Sequence, residues 1–475
     1  MYQTDTIAAI ATAMSDSGIG IVRLSGENAI DIADKIICSS SGKSIVKNAK
    51  SHTIKYGYLY DSPTPPSNDK LFQDRIVDEV LVSVFYAPKS YTGENTVEIN
   101  CHGSVFVLKK TLEIAVKAGA RIAQPGEFTK RAFLNGRIDL SEAEAVMDLI
   151  HSKNEMALKA SVNQLRGDLA NKVKDLRSKI IYEIAFIESA LDDPEHISLD
   201  GYPQRLSKNL GAIKEELKKM IDSAQDGKIL REGIVTVIVG KPNAGKSSLL
   251  NMILGKERAI VTDIAGTTRD ILEEYVNLKG IHLNIIDTAG IRETTDTVEK
   301  IGVDRAKQYS KEADLILYVV DTSVELDEND KEIMKLISDK KTIFLLNKSD
   351  LDQKVKEKDI FEIMDEDQKN IAVIHTSARS LEGMEDLEKE IEKMFYHGDL
   401  KKNDEIIITN LRHKEELEKA LDNIILVQKS IEDQMPEDFY SIDLMSAYSA
   451  LGNIIGEEVG DDLVDEIFSK FCMGK

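Results

Sequence analysis

Cysteine is scarce in this chain: Cys38, Cys101 and Cys472 are all it has, scattered over 475 residues. That excludes a disulfide framework, offers no metal-ligand spacing and points to a reducing compartment. No apolar run approaches the roughly 20 residues that a membrane-spanning helix needs. The first six residues, Met-Tyr-Gln-Thr-Asp-Thr, lack the basic-then-apolar layout of a secretion signal. The expectation is a cytoplasmic chain with no membrane association. Positive charge is also short, 61 Lys and Arg against 83 Asp and Glu, for a net charge of −22. The overall field repels phosphates, so a nucleic-acid partner would have to meet a locally basic surface. Otherwise the composition is ordinary for a soluble globular protein, 42% hydrophobic and 30% charged. The length suits about three domains.

Against these absences stands one strong pairing, a phosphate-loop pattern with a guanine-reading pattern about a hundred residues downstream. Residues 234–240 form an apolar, β-branched run of the kind found in buried parallel strands. It ends in Gly240-Lys241-Pro242-Asn243-Ala244-Gly245-Lys246-Ser247, and Ser248-Leu249-Leu250-Asn251 continues as a helix. The glycines let backbone N–H groups converge on phosphates, and the helix N-terminus adds partial positive charge. Lys246 would reach the β- and γ-phosphates and the Ser247 hydroxyl would ligate Mg²⁺.

Asp287-Thr288-Ala289-Gly290 closes the strand expected at 281–286, where Asp287 can hold a metal-bound water and the Gly290 N–H the γ-phosphate. Thr267-Thr268 lies in a polar loop with Thr262-Asp263-Ile264-Ala265-Gly266, where Thr268 can complete the Mg²⁺ shell. Asn347-Lys348-Ser349-Asp350 ends another buried strand, 342–346. The Asp350 carboxylate can accept two hydrogen bonds from guanine, whereas adenine would leave it unpaired. Ser377-Ala378-Arg379, after a strand at 371–375, fits a backbone contact to the guanine carbonyl. These segments order as a Ras-like doubly wound α/β domain over 229–397 that binds and hydrolyses GTP.

Many GTPases place a glutamine just after Asp287–Gly290 to orient the attacking water; this chain has Ile291. No arginine precedes Thr268 at a spacing suited to an internal charge donor. A monovalent cation would supply the missing charge and an acidic residue would align the water. Asn243 offers an amide oxygen and the 262–267 loop offers backbone carbonyls, all hard ligands. Arg269 and Arg292 are the alternative charge donors.

The outer segments read differently. Strands are expected at 7–13, 20–24, 52–60, 77–86 and 96–101 and a helix at 105–118, a mixed α+β domain. From Ser141 the pattern becomes helical, with Ser141 and Glu144 as a capping box. Leu165, Leu169, Val173, Leu176, Ile180, Ile184, Ile187 and Leu191 recur at helical spacing and predict one long helix stopped near Asp192-Asp193-Pro194. Leu206, Leu210, Ile213, Leu217 and Ile221 predict a second, ending near Asp226-Gly227. Residues 405–475 are again helical, broken near Pro436. The simplest arrangement is one discontinuous helical domain, 123–228 with 398–475, into which the GTP-binding domain 229–397 is inserted. Residues 1–122 would be the N-terminal domain.

Three further runs complete the pattern: Gly20-Ile21-Val22-Arg23-Leu24-Ser25-Gly26 with an arginine inside an apolar strand, Thr92-Gly93-Glu94 through Glu98 to His102-Gly103, and Pro125-Gly126-Glu127-Phe128-Thr129-Lys130-Arg131 through Asn135-Gly136-Arg137. The chain closes on Phe471-Cys472-Met473-Gly474-Lys475. In this order, together with Asp263-Ile264-Ala265-Gly266-Thr267-Thr268-Arg269-Asp270 and Asp287-Thr288-Ala289-Gly290-Ile291-Arg292, they resemble the tRNA modification GTPase family MnmE (TrmE) along the whole chain.

The resemblance implies a tetrahydrofolate-binding-like N-terminal domain, a central helical domain and an inserted G domain. It implies a homodimer joined through the N-terminal domains. It also implies a complex with the FAD-dependent protein MnmG, as a heterotetramer or larger. Together these would add an aminomethyl or carboxymethylaminomethyl group to C5 of a tRNA wobble uridine, with carbon from 5-formyl- or methylene-tetrahydrofolate. Carried over by motif, Arg23, Glu98, Arg137 and Lys475 would contact the folate. Asn243, with Thr262, Ile264 and Thr267 through backbone oxygens, would bind K⁺. Glu299, twelve residues after Asp287, would align the attacking water through a bridging water, and Cys472 is a candidate for chemistry. Two rival readings stand beside this one: a regulatory GTPase of ribosome assembly, and a folate-dependent aminomethyl transferase that needs no flavoprotein.

Overall fold

The structure is a computed structural model. It describes residues 5–61, 75–256, 274–278, 281–286, 313–338, 340–364, 371–377, 379–380, 382–395, 406–471 and 474. Two compact units emerge: Met1–Met147 with Gln164–Tyr182 and Tyr448–Lys475, and Asp148–Asn163 with Glu183–Ala447.

The first unit is built on a seven-stranded sheet. Its strands are β1 (Ile7–Ile10), β2 (Ser17–Ser25), β3 (Ile37–Cys38), β4 (Thr53–Tyr60), β5 (Ile76–Phe85), β6 (Thr96–Gly103) and β7 (Arg121–Ile122). They lie in the order β3-β4-β5-β6-β2-β1-β7. Among the described residues only β1 and β7 of this sheet pair in parallel. Side chains alternate across a strand. In β2, Val22 and Leu24 therefore enter a core shared with Val80, Val82, Val97 and Ile99 and with helices α1 (Ala29–Ile36) and α2 (Val105–Lys117). Arg23 is left on the opposite face, directly across from Glu98. α1, β3 and β7 were not among the expected elements, and β1 stops three residues short of the expected strand.

Helices α3 (Glu127–Leu134), α4 (Leu140–His151), α5 (Glu155–Leu165), α6 (Asp168–Asp192) and α7 (Tyr202–Glu232) follow. Three helix signals differ from expectation. The capping box at α4 belongs to Asp139 and Glu142, not Ser141 and Glu144: Asp139 Oδ1 accepts from the Glu142 N–H at 2.9 Å, and Glu142 Oε2 from the Asp139 N–H at 2.8 Å. Ser141 instead donates to Asp139, so the cap lies two residues earlier. The long helix does not include Leu165, because Gly167 (φ +87) breaks the chain between α5 and α6.

The third difference is that α7 runs straight through Gly227 and stops at Gly233. A Cβ at Gly227 would stand 2.0 Å from the Ile408 carbonyl oxygen, so this glycine permits a close backbone approach rather than ending the helix. Beyond the second sheet, α12 (Leu411–Glu432) packs along α7, followed by α13 (Glu437–Ile455) and α14 (Asp461–Ser469). The break near Pro436 falls between α12 and α13, as expected.

The second unit holds a six-stranded sheet of β8 (Ile234–Val239), β9 (Glu274–Leu278), β10 (Ile281–Ile286), β11 (Leu315–Asp321), β12 (Thr342–Asn347) and β13 (Ile371–His375). The order is β13-β12-β11-β8-β10-β9, parallel except for the edge strand β9. Both faces are covered. On one, Ile238, Leu283, Leu317 and Leu345 pack with α8 (Lys246–Lys256) and α11 (Met384–Phe395). On the other, Val237, Ile316 and Phe344 pack with α9 (Glu328–Leu336) and α10 (Glu357–Met364). Burial on both faces is why these strands read as continuous apolar runs. Among the described residues no helix is long and apolar enough to cross a membrane.

Candidate nucleotide-binding site

β10 and β9 lie on one side of β8, and β11, β12 and β13 on the other. The chain thus reverses direction across the sheet at the end of β8, the position where doubly wound sheets open a crevice. The loop 240–245 sits there and turns through three residues of positive φ, Gly240 (φ +146), Asn243 (φ +63) and Gly245 (φ +101). A Cβ on Gly245 would stand 2.1 Å from the Asn347 side-chain nitrogen, so only glycine lets the loop and the end of β12 touch. Asn347 Nδ2 donates to the Ala244 carbonyl at 2.8 Å, tying the two nucleotide motifs together across 103 residues of sequence. Its Oδ1 is buried without a hydrogen-bond partner.

Lys246 opens α8, with Ser247 and Ser248 in the same first turn. Its ammonium donates to the carbonyls of Gly240 and Lys241, each at 2.7 Å. No carboxylate among the described residues pairs with it. Burial pushes its pKa down to about 8. A desolvated cation held by carbonyl dipoles favours an anionic ligand.

The Asn347–Asp350 run is braced from the end of β11. Lys348 (φ +61) places its ammonium 2.5 Å from Asp321. The Thr322 hydroxyl donates to the Asn347 carbonyl at 2.9 Å. Burial alone would raise the Asp321 pKa, but Lys348 and Ser323 hold it below the usual carboxylate range. Asp350 is exposed and accepts from the buried Ser377 hydroxyl at 2.9 Å; Arg379 is exposed beside it in sequence. Thr262, Asp263, Ile264, Ala265, Gly266, Thr267, Thr268, Asp287, Thr288, Ala289, Gly290, Glu299, Ala378, Cys472 and Lys475 lie outside the described residues.

The first unit carries a second constellation. The Arg23 guanidinium bonds Glu98 twice, at 2.9 and 2.8 Å, and donates to the Gly474 carbonyl at 3.2 Å. The rings of Tyr91 and Phe128 each lie 5.7 Å from it. Arg137 is exposed. Two expected partners, Arg23 and Glu98, therefore meet, and the chain end reaches them through Gly474.

Beneath lies a network that the motif reading did not separate from the site. Arg131 donates to Asp5 at 2.8 Å, Glu127 at 3.0 Å and Glu94 at 3.2 Å, and Arg121 reaches Asp5 at 2.5 Å and Glu127 at 2.6 Å. Glu127 and Arg131 of the Pro-Gly-Glu-Phe-Thr-Lys-Arg run are thus buried and mutually neutralised, a supporting role. Their partner Asp5 is more than 110 residues away in sequence, which no local pattern reveals.

A strand, a glycine loop with its lysine, a following helix and an Asn-Lys-Ser-Asp run at the end of a neighbouring strand, on a doubly wound sheet, define a P-loop GTPase. The model of the MnmE helical domain matches residues 140–472, and that of the GTP-binding protein TrmE N-terminus matches 6–137. The tRNA modification GTPase MnmE of Lachnoclostridium phytofermentans is 54% identical over 474 residues, covering 100% of both chains. That of Clostridioides difficile is 49% identical, again over 100% of both. The Bacillus subtilis protein is 46% identical over 99% of this chain and 100% of its own. The G domain of the T. maritima iron transporter FeoB is similar over 34% of this chain and 98% of its own, at 26% identity and a TM-score of 0.25. The chain belongs to the family of tRNA modification GTPases MnmE.

Proposed function

We propose that this GTPase works as a homodimer with an FAD-dependent partner of the MnmG type to install the (carboxymethyl)aminomethyl group at C5 of the tRNA wobble uridine. A folate one-carbon unit supplies the carbon. The observation that carries the folate part is the Arg23–Glu98 pair, flanked by Tyr91 and Phe128 and joined by the Gly474 carbonyl. It offers a carboxylate, a guanidinium and aromatic faces together, which suits a flat N–H-bearing ring with an acidic tail. Arg137 and Lys475 complete the reading.

At the nucleotide, Lys246 exchanges its two carbonyls for the phosphates, and Asp350 accepts the guanine N–H groups. Mg²⁺ would be held by Ser247 and Thr268 and would supply charge neutralisation at the phosphates. K⁺ would be held by Asn243 with the backbone oxygens of Thr262, Ile264 and Thr267, and would supply the charge that an arginine gives in other GTPases. These donors are hard oxygens and fit both ions. Glu299 aligns the attacking water. The domain boundaries follow the same reading, with 229–397 inserted into a helical domain of 123–228 and 398–475 behind an N-terminal domain of 1–122. Pairing of two such G domains in the GTP state then drives the conformational step.

Mass spectrometry of wobble nucleosides from a strain lacking this chain, and from one lacking the flavoprotein, tests the proposal. The modified uridine disappears from both. Its persistence in the first strain would favour a ribosome-assembly GTPase, and its persistence in the second a stand-alone transferase.

A further inference from the structure

Lys241, the residue after the first glycine of the phosphate loop, belongs to no nucleotide contact set, yet it has the most elaborate attachment in that loop. Its ammonium lies 2.8 Å from Asp327 and 2.5 Å from Asp330. Those two carboxylates form the capping box of α9: Asp327 accepts from the N–H groups of Asn329 and Asp330, and Asp330 accepts from the Asp327 N–H. Asp330 is buried and also accepts from the Tyr318 hydroxyl at 3.0 Å. Tyr318 is itself fully buried in β11. The anchor is therefore rigid, fixed by a helix cap and a core tyrosine. The backbone carbonyl of the same Lys241 accepts from Lys246 at 2.7 Å. One residue thus grips a fixed carboxylate pair with its side chain and seats the phosphate-binding lysine with its carbonyl.

We propose that Lys241 is a positioning residue for GTP binding: its clamp onto Asp327 and Asp330 sets the loop shape that presents Lys246 to the phosphates. The proposal rests on the phosphate-loop reading of Lys246. The clamp bears on the phosphate end; the Asn347–Asp350 run has its own brace through Asp321 and Thr322 and meets the loop at the Asn347–Ala244 hydrogen bond.

The test uses the full-length chain titrated with GDP and, by competition, with guanosine. Lys241→Met is expected to weaken GDP about tenfold and to raise the KM for GTP by a similar factor. Guanosine affinity and kcat stay within about twofold, and Lys241→Arg restores GDP binding. Removing the cation also leaves two carboxylates facing the loop, which could repel phosphate by charge alone. Lys241→Met with Asp327→Asn separates these effects: GDP binding that stays weak supports positioning, and GDP binding that recovers overturns it. Equal loss of guanosine and GDP, or unaltered GDP affinity in Lys241→Met, would also overturn it. Lys246→Ala serves as the control on the loop itself; tight GDP binding by that variant would sink the phosphate-loop reading rather than the clamp.

Discussion

Among the described residues Lys246 has no counter-charge, and this sets its behaviour with pH. Desolvation brings its pKa down to about 8 in the unliganded chain. Phosphates bound against it favour the charged form and raise that value. Above pH 8 the free lysine is neutral, so binding must take up a proton, and GTP affinity falls as pH rises, by up to about tenfold per unit. Titrations with GDP between pH 7 and 9.5 check this; a flat profile would show that the lysine is not the phosphate partner. The Arg131 network makes a separate prediction. Replacing Arg131 by Met leaves Asp5, Glu94 and Glu127 facing one another with one cation fewer, at a cost of about 3–5 kcal/mol in urea denaturation. The loop 240–247 and the Asn347–Asp350 run were legible in sequence because phosphate and guanine recognition need fixed residue types at fixed spacing, and the fold brings the two together at Asn347 and Ala244. Lys241, Asp321 and Asp5 were not, because each acts on a partner brought close only by the fold.

Among the elements, the buried parallel strands were the most legible, since burial on both faces leaves little room for polar residues. Helix ends were the least. Gly227 looks like a stop, but the helix continues because its missing side chain admits the Ile408 carbonyl. In an isolated helix Gly→Ala would stabilise by roughly 1 kcal/mol. At position 227 the sign reverses: Ala must displace backbone, and thermal melts of Gly227→Ala are expected to show a loss of about 1–3 kcal/mol. A gain would mean that α7 and the segment before α12 are not in contact there. Asp139 outcompetes Ser141 as a cap for a similar reason. Both precede an acidic residue at the right spacing, but Ser141 is itself fully buried inside the first turn, with its hydroxyl on Asp139.

For the whole molecule, the scarcity of positive charge and the absence of an arginine at a suitable spacing before Thr268 leave two functions that the proposed mechanism assigns elsewhere. With a net charge of −22, this chain alone is expected to bind tRNA weakly, the flavoprotein contributing much of the phosphate contact. GTP turnover in potassium is expected to exceed that in sodium at equal ionic strength, and equal rates would remove the cation from the account. The most direct measurement joins base reading to the modification itself. Reconstituted tRNA modification by Asp350→Asn with the flavoprotein should fail with GTP and recover with XTP, because xanthine offers a carbonyl where guanine offers an amine, and an amide can donate to it. Modification by that variant that continues on GTP, or that XTP does not restore, would contradict a mechanism in which guanine held at Asp350 powers the chemistry on tRNA.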